Sequence, residues 1–287
     1  MTADRGAPAA GREALAREAL DGLIGVRGRR VLVTGAASGL GLAIARALVA
    51  CGARVMLCDV DAGGLDRAVQ SFDGLAGRAW ATVADVTSPP QLKAAVAEML
   101  RLWDGVDVAF ANAGISMSPG FGVPAGELRG LDWDRWQKVL NVNLKGVLAT
   151  IQAVAEPMKR QHEGSIVATA STAGLRADPL VGYSYVASKA AIVNVVRQAA
   201  LELSSFGVRV NAIAPGPFHS TSIGGAAAEL GGPDLANAWG KTVPLGGRMG
   251  DPSELTGIAL LLASRASSFM TGAVYPVDGG TLIAYPL

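Results

Sequence analysis

The chain has 287 residues, half of them apolar, so it is long enough to bury a sizeable core. Its 25 basic and 24 acidic residues are scattered along the sequence, which argues against a nucleic-acid or membrane-surface partner. No uncharged apolar run approaches the ~18 residues that a membrane-spanning helix needs, and the N-terminus lacks the apolar centre of a signal peptide. We therefore expect a cytoplasmic protein without a membrane partner.

The domain organisation is read from composition. From Arg30 onward the composition is even, without a linker or repeat, which indicates one domain over residues 29–287 and an extension at 1–28. Residues 1–11 are rich in Ala, Gly and Pro and are expected to be disordered, whereas 12–23 has the spacing of a short amphipathic helix.

Cysteine is rare in this chain. Cys51 and Cys58 fall at the ends of a predicted helix and a predicted strand. We expect both to be small buried hydrophobic residues, and we predict neither a disulfide nor a metal site.

The first strong signal is an apolar run at Arg30–Thr34 that leads into a glycine turn and then a helix predicted at about 40–50. Glycines let the backbone approach a pyrophosphate closely, and a helix N-terminus offers free N–H groups. A glycine turn of this kind also occurs as a simple connection between a strand and a helix, without a ligand. The candidate phosphate-binding residues are Gly35, Ser38, Gly39, Leu40 and Gly41.

An acid follows the second predicted strand. This strand, Ala53–Cys58, ends at Asp59, eighteen residues after Gly41, close to where a dinucleotide-binding fold places the acid that accepts ribose hydroxyls. A carboxylate there repels a 2′-phosphate, and the turn contains no Arg or Lys to neutralise one, so the pattern favours NAD over NADP. Asp61 competes for the role, and a solvated loop acid is the alternative.

Further strands alternate with helices along the chain. They are predicted at Arg78–Ala84, Val106–Phe110, Ser165–Thr169, Val208–Ile213 and Ala273–Val277. The first four are followed by short polar or glycine signals, and in an open α/β sheet ligands bind at that edge. These signals are Asp85-Val86, Asn112-Ala113-Gly114, Ser171 and Pro215-Gly216-Pro217-Phe218.

Two irregular segments and one long helix complete the pattern. We interpret residues 115–132 as a loop on the substrate side rather than a surface insertion without function. Residues 217–240 are interpreted as a mobile flap over the substrate. A helix is predicted over about 132–161, which Pro157 should bend or shorten. Asn143 beside a glycine suits a distorted helical turn, which would free a carbonyl or hold a water for a proton path.

Tyr185 and Lys189 are four residues apart, so they lie on the same face of a predicted helix. A tyrosine acts as a base near neutral pH only if its pKa falls from ~10 by about 2–3 units. An ammonium ~4 Å away contributes about 4 kcal/mol, which is enough. The pair therefore predicts proton transfer, with a solvated helix face as the alternative.

Together these motifs closely resemble those of the short-chain dehydrogenase/reductase family, from Arg30 to Leu287. The resemblance implies a doubly wound, Rossmann-type α/β fold in a single domain: a parallel seven-stranded sheet with helices on both faces. It also implies a nicotinamide dinucleotide cofactor and a homotetramer built through the helices around 132–161 and 183–206.

The resemblance also implies residue roles. Tyr185 would be the general acid/base, and Lys189 would lower its pKa and hold the nicotinamide ribose. Ser171 would hydrogen-bond the substrate oxygen, and Asn143 would anchor a water in the proton relay. Asp85 and Val86 would contact the adenine, Asn112, Ala113 and Gly114 would form a floor beside the cofactor, and Pro215, Gly216 and Phe218 would clasp the nicotinamide.

Some assignments have competitors. Asn141 competes with Asn143, and Tyr183 competes with Tyr185 but has no lysine four residues later. The longer Tyr–Lys spacing of the family's enoyl reductases is absent here.

The predicted function is an NAD-dependent oxidoreductase that interconverts a secondary alcohol and a ketone. The apolar segment 115–121 and the Gly/Ala-rich flap favour a hydrophobic or cyclic substrate. The alternatives are a 3-oxoacyl thioester, a sugar or polyol, a strict NADP preference, or an NAD-binding scaffold that has lost its chemistry.

Overall fold

The computed structural model describes residues 19, 20, 22–72, 74, 78–219 and 239–284. Most of the predicted N-terminal helix and of the predicted flap therefore lie outside the described residues. The strands are β1 (Arg30–Thr34), β2 (Arg54–Asp59), β3 (Ala79–Val83), β4 (Val108–Ala111), β5 (Gly164–Thr169), β6 (Val208–Pro215) and β7 (Val274–Val277). The α-helices are α1 (Gly39–Ala50), α2 (Ala62–Gln70), α3 (Pro89–Trp103), α4 (Trp133–Leu140), α5 (Gly146–Gln161), α6 (Tyr183–Leu203) and α7 (Thr256–Ala263).

The seven strands form one parallel sheet in the order β3-β2-β1-β4-β5-β6-β7, which confirms the predicted doubly wound fold. Successive residues of a strand point to opposite faces. Leu32 accordingly joins the core on one side of the sheet, and Val31 and Val33 join the core on the other. Burial of both faces explains why the strands read as continuous apolar runs.

The predicted helix over 132–161 consists of three parts. Between α4 and α5 lies a π-helical stretch, Asn141–Lys145, so the predicted distortion around Asn143 is confirmed. The expectation that Pro157 shortens the helix is wrong, because α5 continues to Gln161. Pro157 lies on the buried side of α5.

The two cysteines differ in environment. Cys58 is buried in β2, as predicted, but Cys51 is exposed, so the expectation of burial was wrong for this residue. Cys51 follows the last residue of α1, where the helix end turns toward solvent. None of the helices in the described part of the chain is long and apolar enough to cross a membrane.

Candidate active site

A cleft of about 770 Å³ opens at the carboxyl edge of the sheet. It lies beside the junction of β1 and β4, where the strand order reverses and the loops after the two strands diverge. All but one of the residues predicted for catalysis or cofactor binding line it. They are Gly35, Ser38, Gly39, Leu40, Gly41, Asp59, Asp85, Val86, Asn112, Ala113, Gly114, Ser171, Tyr185, Lys189, Pro215, Gly216 and Phe218.

The glycine turn after β1 is shaped by close backbone contacts. Gly35 has a φ of +67°, and a Cβ there would lie 2.7 Å from the Cα atom of Ala113. A Cβ on Gly41 would overlap the carbonyl oxygen of Gly35. The first turn of α1 contains no acidic residue, so its N–H groups face the cleft without a competing carboxylate. The turn fits a bound pyrophosphate.

The two acids after β2 differ in their contacts. Asp59 lines the cleft, and its carboxylate accepts hydrogen bonds from the N–H groups of Ala37 (3.0 Å) and Asp61 (3.1 Å). Asp61 instead caps α2, where it accepts a hydrogen bond from Gly64, and pairs with Arg67 at 3.6 Å. Asp59 is therefore the acid that is available to a ligand.

Asn112 connects the ends of three neighbouring strands below the cleft. Its amide nitrogen donates to the carbonyl oxygens of Thr34 (3.1 Å) and Gly35 (3.3 Å). Its side-chain oxygen accepts a hydrogen bond of 3.0 Å from the hydroxyl of Thr169. Asn112 thus fixes the glycine turn relative to β5, which leads to Ser171.

Tyr185 and Lys189 lie in the first turns of α6. The ammonium nitrogen of Lys189 is 5.5 Å from the centroid of the Tyr185 ring and donates a hydrogen bond of 2.7 Å to the carbonyl oxygen of Thr169. Lys189 is only 3 % exposed, and burial lowers its pKa to about 8. Burial disfavours the charged form of lysine, so this ammonium releases its proton more readily than a solvated one.

The pKa of Tyr185 is raised, chiefly because burial disfavours the phenolate. Hydrogen bonding with Ser171 acts to lower this pKa, and the negative charge of Asp178 acts to raise it. The Tyr185 pKa therefore moves opposite to the direction expected from a neighbouring lysine, because burial is the largest cause of its shift. The buried lysine itself has a lowered pKa, which weakens its support of a phenolate.

Asn143 is the predicted site residue that does not line the cleft. It is fully buried, and its amide donates to the carbonyl oxygen of Ile115 (3.0 Å) and the hydroxyl of Ser188 (3.1 Å). Its side-chain oxygen accepts a hydrogen bond of 2.8 Å from the Ile115 N–H group. Both amide hydrogens are used by protein groups, so this side chain holds the loop after β4 against α6. The role of Asn143 in a proton relay stays a prediction.

Two further residues lie on the cleft: Asn141, which the sequence offered as the competitor of Asn143, and Asp178, which the sequence reasoning missed. Asn141 lines the cleft, although the family spacing favoured Asn143. Asp178 also lines the cleft and is only 7 % exposed. The one sequence signal for Asp178 was its place midway between Ser171 and Tyr185, but an aspartate before a proline also suits an ordinary turn.

Comparison with known proteins agrees with this geometry. A family model described as "Enoyl-(Acyl carrier protein) reductase" matches residues 35–281. A galactitol 2-dehydrogenase (L-tagatose-forming) from Cereibacter sphaeroides is 39 % identical over 86 % of this chain and 92 % of its own length. A cyclohexanol dehydrogenase from Rhodococcus sp. (strain TK6) is 37 % identical over 89 % of this chain and 96 % of its own length.

A crystal structure of a short-chain type dehydrogenase/reductase from Mycobacterium marinum superposes with a TM-score of 0.83. It is 34 % identical, and the match covers 91 % of this chain and 98 % of that one. The fold and the cleft define a nicotinamide-dependent oxidoreductase of the Rossmann type. The chain belongs to the short-chain dehydrogenase/reductase family.

Proposed function

We propose that this protein is an NAD-dependent dehydrogenase that interconverts a secondary alcohol and a ketone. The observation that supports this most strongly is the convergence of Ser171, Tyr185 and Lys189 in one cleft with the glycine turn and Asp59. A reacting group and a dinucleotide-binding surface thus face the same space. An NAD-binding scaffold without chemistry would not need the first three residues.

The cofactor would be held by groups already described. The turn at Gly35–Gly41 and the N-terminus of α1 suit the pyrophosphate, Asp59 the adenosine ribose hydroxyls, and Lys189 the nicotinamide ribose. The nicotinamide supplies or accepts the hydride. NAD is preferred in this proposal because the Asp59 carboxylate would repel a 2′-phosphate.

The protein's own part is proton transfer at the substrate oxygen. The phenol oxygen of Tyr185 gives a proton to the ketone oxygen or takes one from the alcohol, while the Ser171 hydroxyl orients that oxygen by a hydrogen bond. The raised pKa of Tyr185 keeps its proton in place for donation in the reductive direction. For the oxidative direction the Tyr185 pKa must fall, which requires positive charge near the phenolate from Lys189 and an oxidised nicotinamide ring together.

Apolar side chains line the substrate end of the cleft, among them Ile115, Leu180, Val181 and Trp239. These walls support a hydrophobic or cyclic alcohol or ketone. The similarity to a cyclohexanol dehydrogenase supports the same proposal. The proposal includes a cytoplasmic location and assembly into a homotetramer.

The test is a panel of cyclic and acyclic secondary alcohols with NAD⁺ or NADP⁺, followed as the absorbance of the reduced cofactor. We expect turnover with NAD⁺ on at least one cyclic alcohol. Binding of NADH without turnover on any alcohol or ketone would instead identify a catalytically silent scaffold.

A further inference from the structure

A buried carboxylate faces the reaction centre. Asp178 lines the same cleft as Ser171 and Tyr185, and only 7 % of its surface is exposed. One carboxylate oxygen, Oδ1, accepts a hydrogen bond of 2.9 Å from the N–H group of Leu180. Among the residues that the structure describes, no other hydrogen bond reaches this carboxylate, and Oδ2 is not fully buried, so it is accessible to a ligand in the cleft.

No cation compensates the Asp178 charge within the described ranges. Arg176, two residues earlier, forms no ion pair with it, and neither does Lys189. A ligand that fills the cleft and displaces water from this carboxylate loses a hydrogen bond unless it supplies a donor of its own.

We propose that Asp178 is a specificity-determining residue that accepts a hydrogen bond from a second hydroxyl group of the substrate, close to the reacting carbon. The inference rests on the proposed function and adds a substrate class: secondary alcohols with a neighbouring hydroxyl, such as cyclic or open-chain diols, and the corresponding hydroxyketones. The apolar walls contact the carbon skeleton, and Asp178 selects the polar substituent.

The chemistry of the cleft favours a hydroxyl over other groups at this position. An ionised carboxylate only accepts hydrogen bonds, so it repels a carboxylate or phosphate on the substrate. An ammonium group would suit Asp178, but the positive charge of an oxidised nicotinamide ring in the same cleft would oppose a second cation. A neutral hydroxyl satisfies Asp178 without that conflict.

The experiment compares trans-1,2-cyclohexanediol with cyclohexanol, using the full chain and NAD⁺. The measured quantity is the ratio of the two kcat/KM values. Because both substrates use Tyr185, the ratio cancels any effect of Asp178 on that residue. We expect wild type to prefer the diol by about 10- to 100-fold, which is the effect of a hydrogen bond to a charged group.

Asp178→Asn preserves the shape and the acceptor for Leu180 but removes the charge, and should reduce the ratio about tenfold. Asp66→Asn is the control, because Asp66 is an exposed aspartate on α2 that does not line the cleft. The ratio of kcat/KM values in this variant should equal that of wild type. A wild-type ratio of one or less overturns the inference without any variant. So does a ratio that Asp178→Asn leaves unchanged, or a preference for trans-2-aminocyclohexanol over the diol.

Failure of the proposed function has a different signature. In that case wild type binds NADH, followed by fluorescence, but oxidises neither cyclohexanol nor the diol, and both proposals fall. Turnover of cyclohexanol without preference for the diol removes only the role of Asp178.

Discussion

Lys189 follows Tyr185 by one helical turn, yet its ammonium nitrogen donates to the carbonyl oxygen of Thr169 and lies 5.5 Å from the centroid of the phenol ring. The hydrogen bond fixes the lysine at the end of β5, in reach of both the ring and the cofactor side of the cleft. Burial raises the pKa of Tyr185 and lowers that of Lys189. The site therefore holds the neutral forms of both groups more readily than water does.

The lowered pKa of Lys189 predicts a pH-dependent stability. Because the folded pKa is about 8 against an ordinary value of 10.5, the charged lysine destabilises the fold most fully below pH 8. The charged lysine lowers the free energy of unfolding by about 3 kcal/mol. This loss disappears as the pH rises from about 8 toward 10.5, because over that range the unfolded chain binds more protons than the folded one.

Lys189→Met removes this titration. Urea unfolding should show that the free energy of unfolding of wild type rises by about 2 kcal/mol relative to that of the variant between about pH 7.5 and about pH 9.5. Parallel stability curves for the two proteins over that window would contradict the burial of a charged lysine.

Asp59→Ala should relax the cofactor preference. Removal of the carboxylate abolishes its repulsion of a 2′-phosphate, so the ratio of kcat/KM for NAD⁺ over NADP⁺ should fall at least about tenfold. Asp61→Ala is the control, because Asp61 caps α2 and pairs with Arg67 instead. An unchanged ratio in Asp59→Ala, or an equal change in Asp61→Ala, would argue against the assignment.

Asn143→Ala should destabilise the protein. The substitution leaves the partly buried N–H and C=O groups of Ile115 without their partner, at a cost of about 2–4 kcal/mol in the free energy of unfolding. Asn141→Ala, which removes only an exposed bond to Gln137, should cost less than about 1 kcal/mol. Chemical denaturation of both variants measures the difference, and similar losses would refute a positioning role that is specific to Asn143.

Only one of the two cysteines should react in the native protein. Cys51 is exposed, whereas burial raises the pKa of Cys58 to about 12 and keeps its thiol protonated. Ellman's reagent should titrate one thiol in the native state and two in guanidinium. Cys51→Ser should remove the native signal, and rapid modification of two native thiols would disprove the burial of Cys58.

Features with a local cause could be predicted from the sequence. The strands are short apolar runs, the glycine turn follows β1 directly, and Tyr185 and Lys189 are brought together by the helical repeat alone. The distortion at Asn143 was also predictable, because a polar residue close to a glycine weakens a helix.

Features that depend on tertiary contacts could not be predicted. The Asn143 side chain connects its helix to the loop after β4 only because the fold brings Ile115 within hydrogen-bond distance. Asp178 lies on the cleft because of the path that the loop after β5 takes, and the pattern of apolar residues in the sequence does not reveal that path. The direction of the Tyr185 pKa shift depends chiefly on the burial of the phenol, which the Tyr–Lys spacing does not reveal.

The most direct test of the account is Tyr185→Phe, measured for both turnover and cofactor binding. Removal of the phenol oxygen eliminates the proton donor and acceptor but leaves the glycine turn and Asp59 intact, so kcat/KM for the best alcohol should fall about 10³-fold. NADH affinity, from fluorescence titration, should stay within about threefold. Tyr183→Phe, on the same helix but without a lysine partner, is the control and should retain full activity. Retained turnover in Tyr185→Phe, or an equal loss in Tyr183→Phe, would contradict the proposed chemistry.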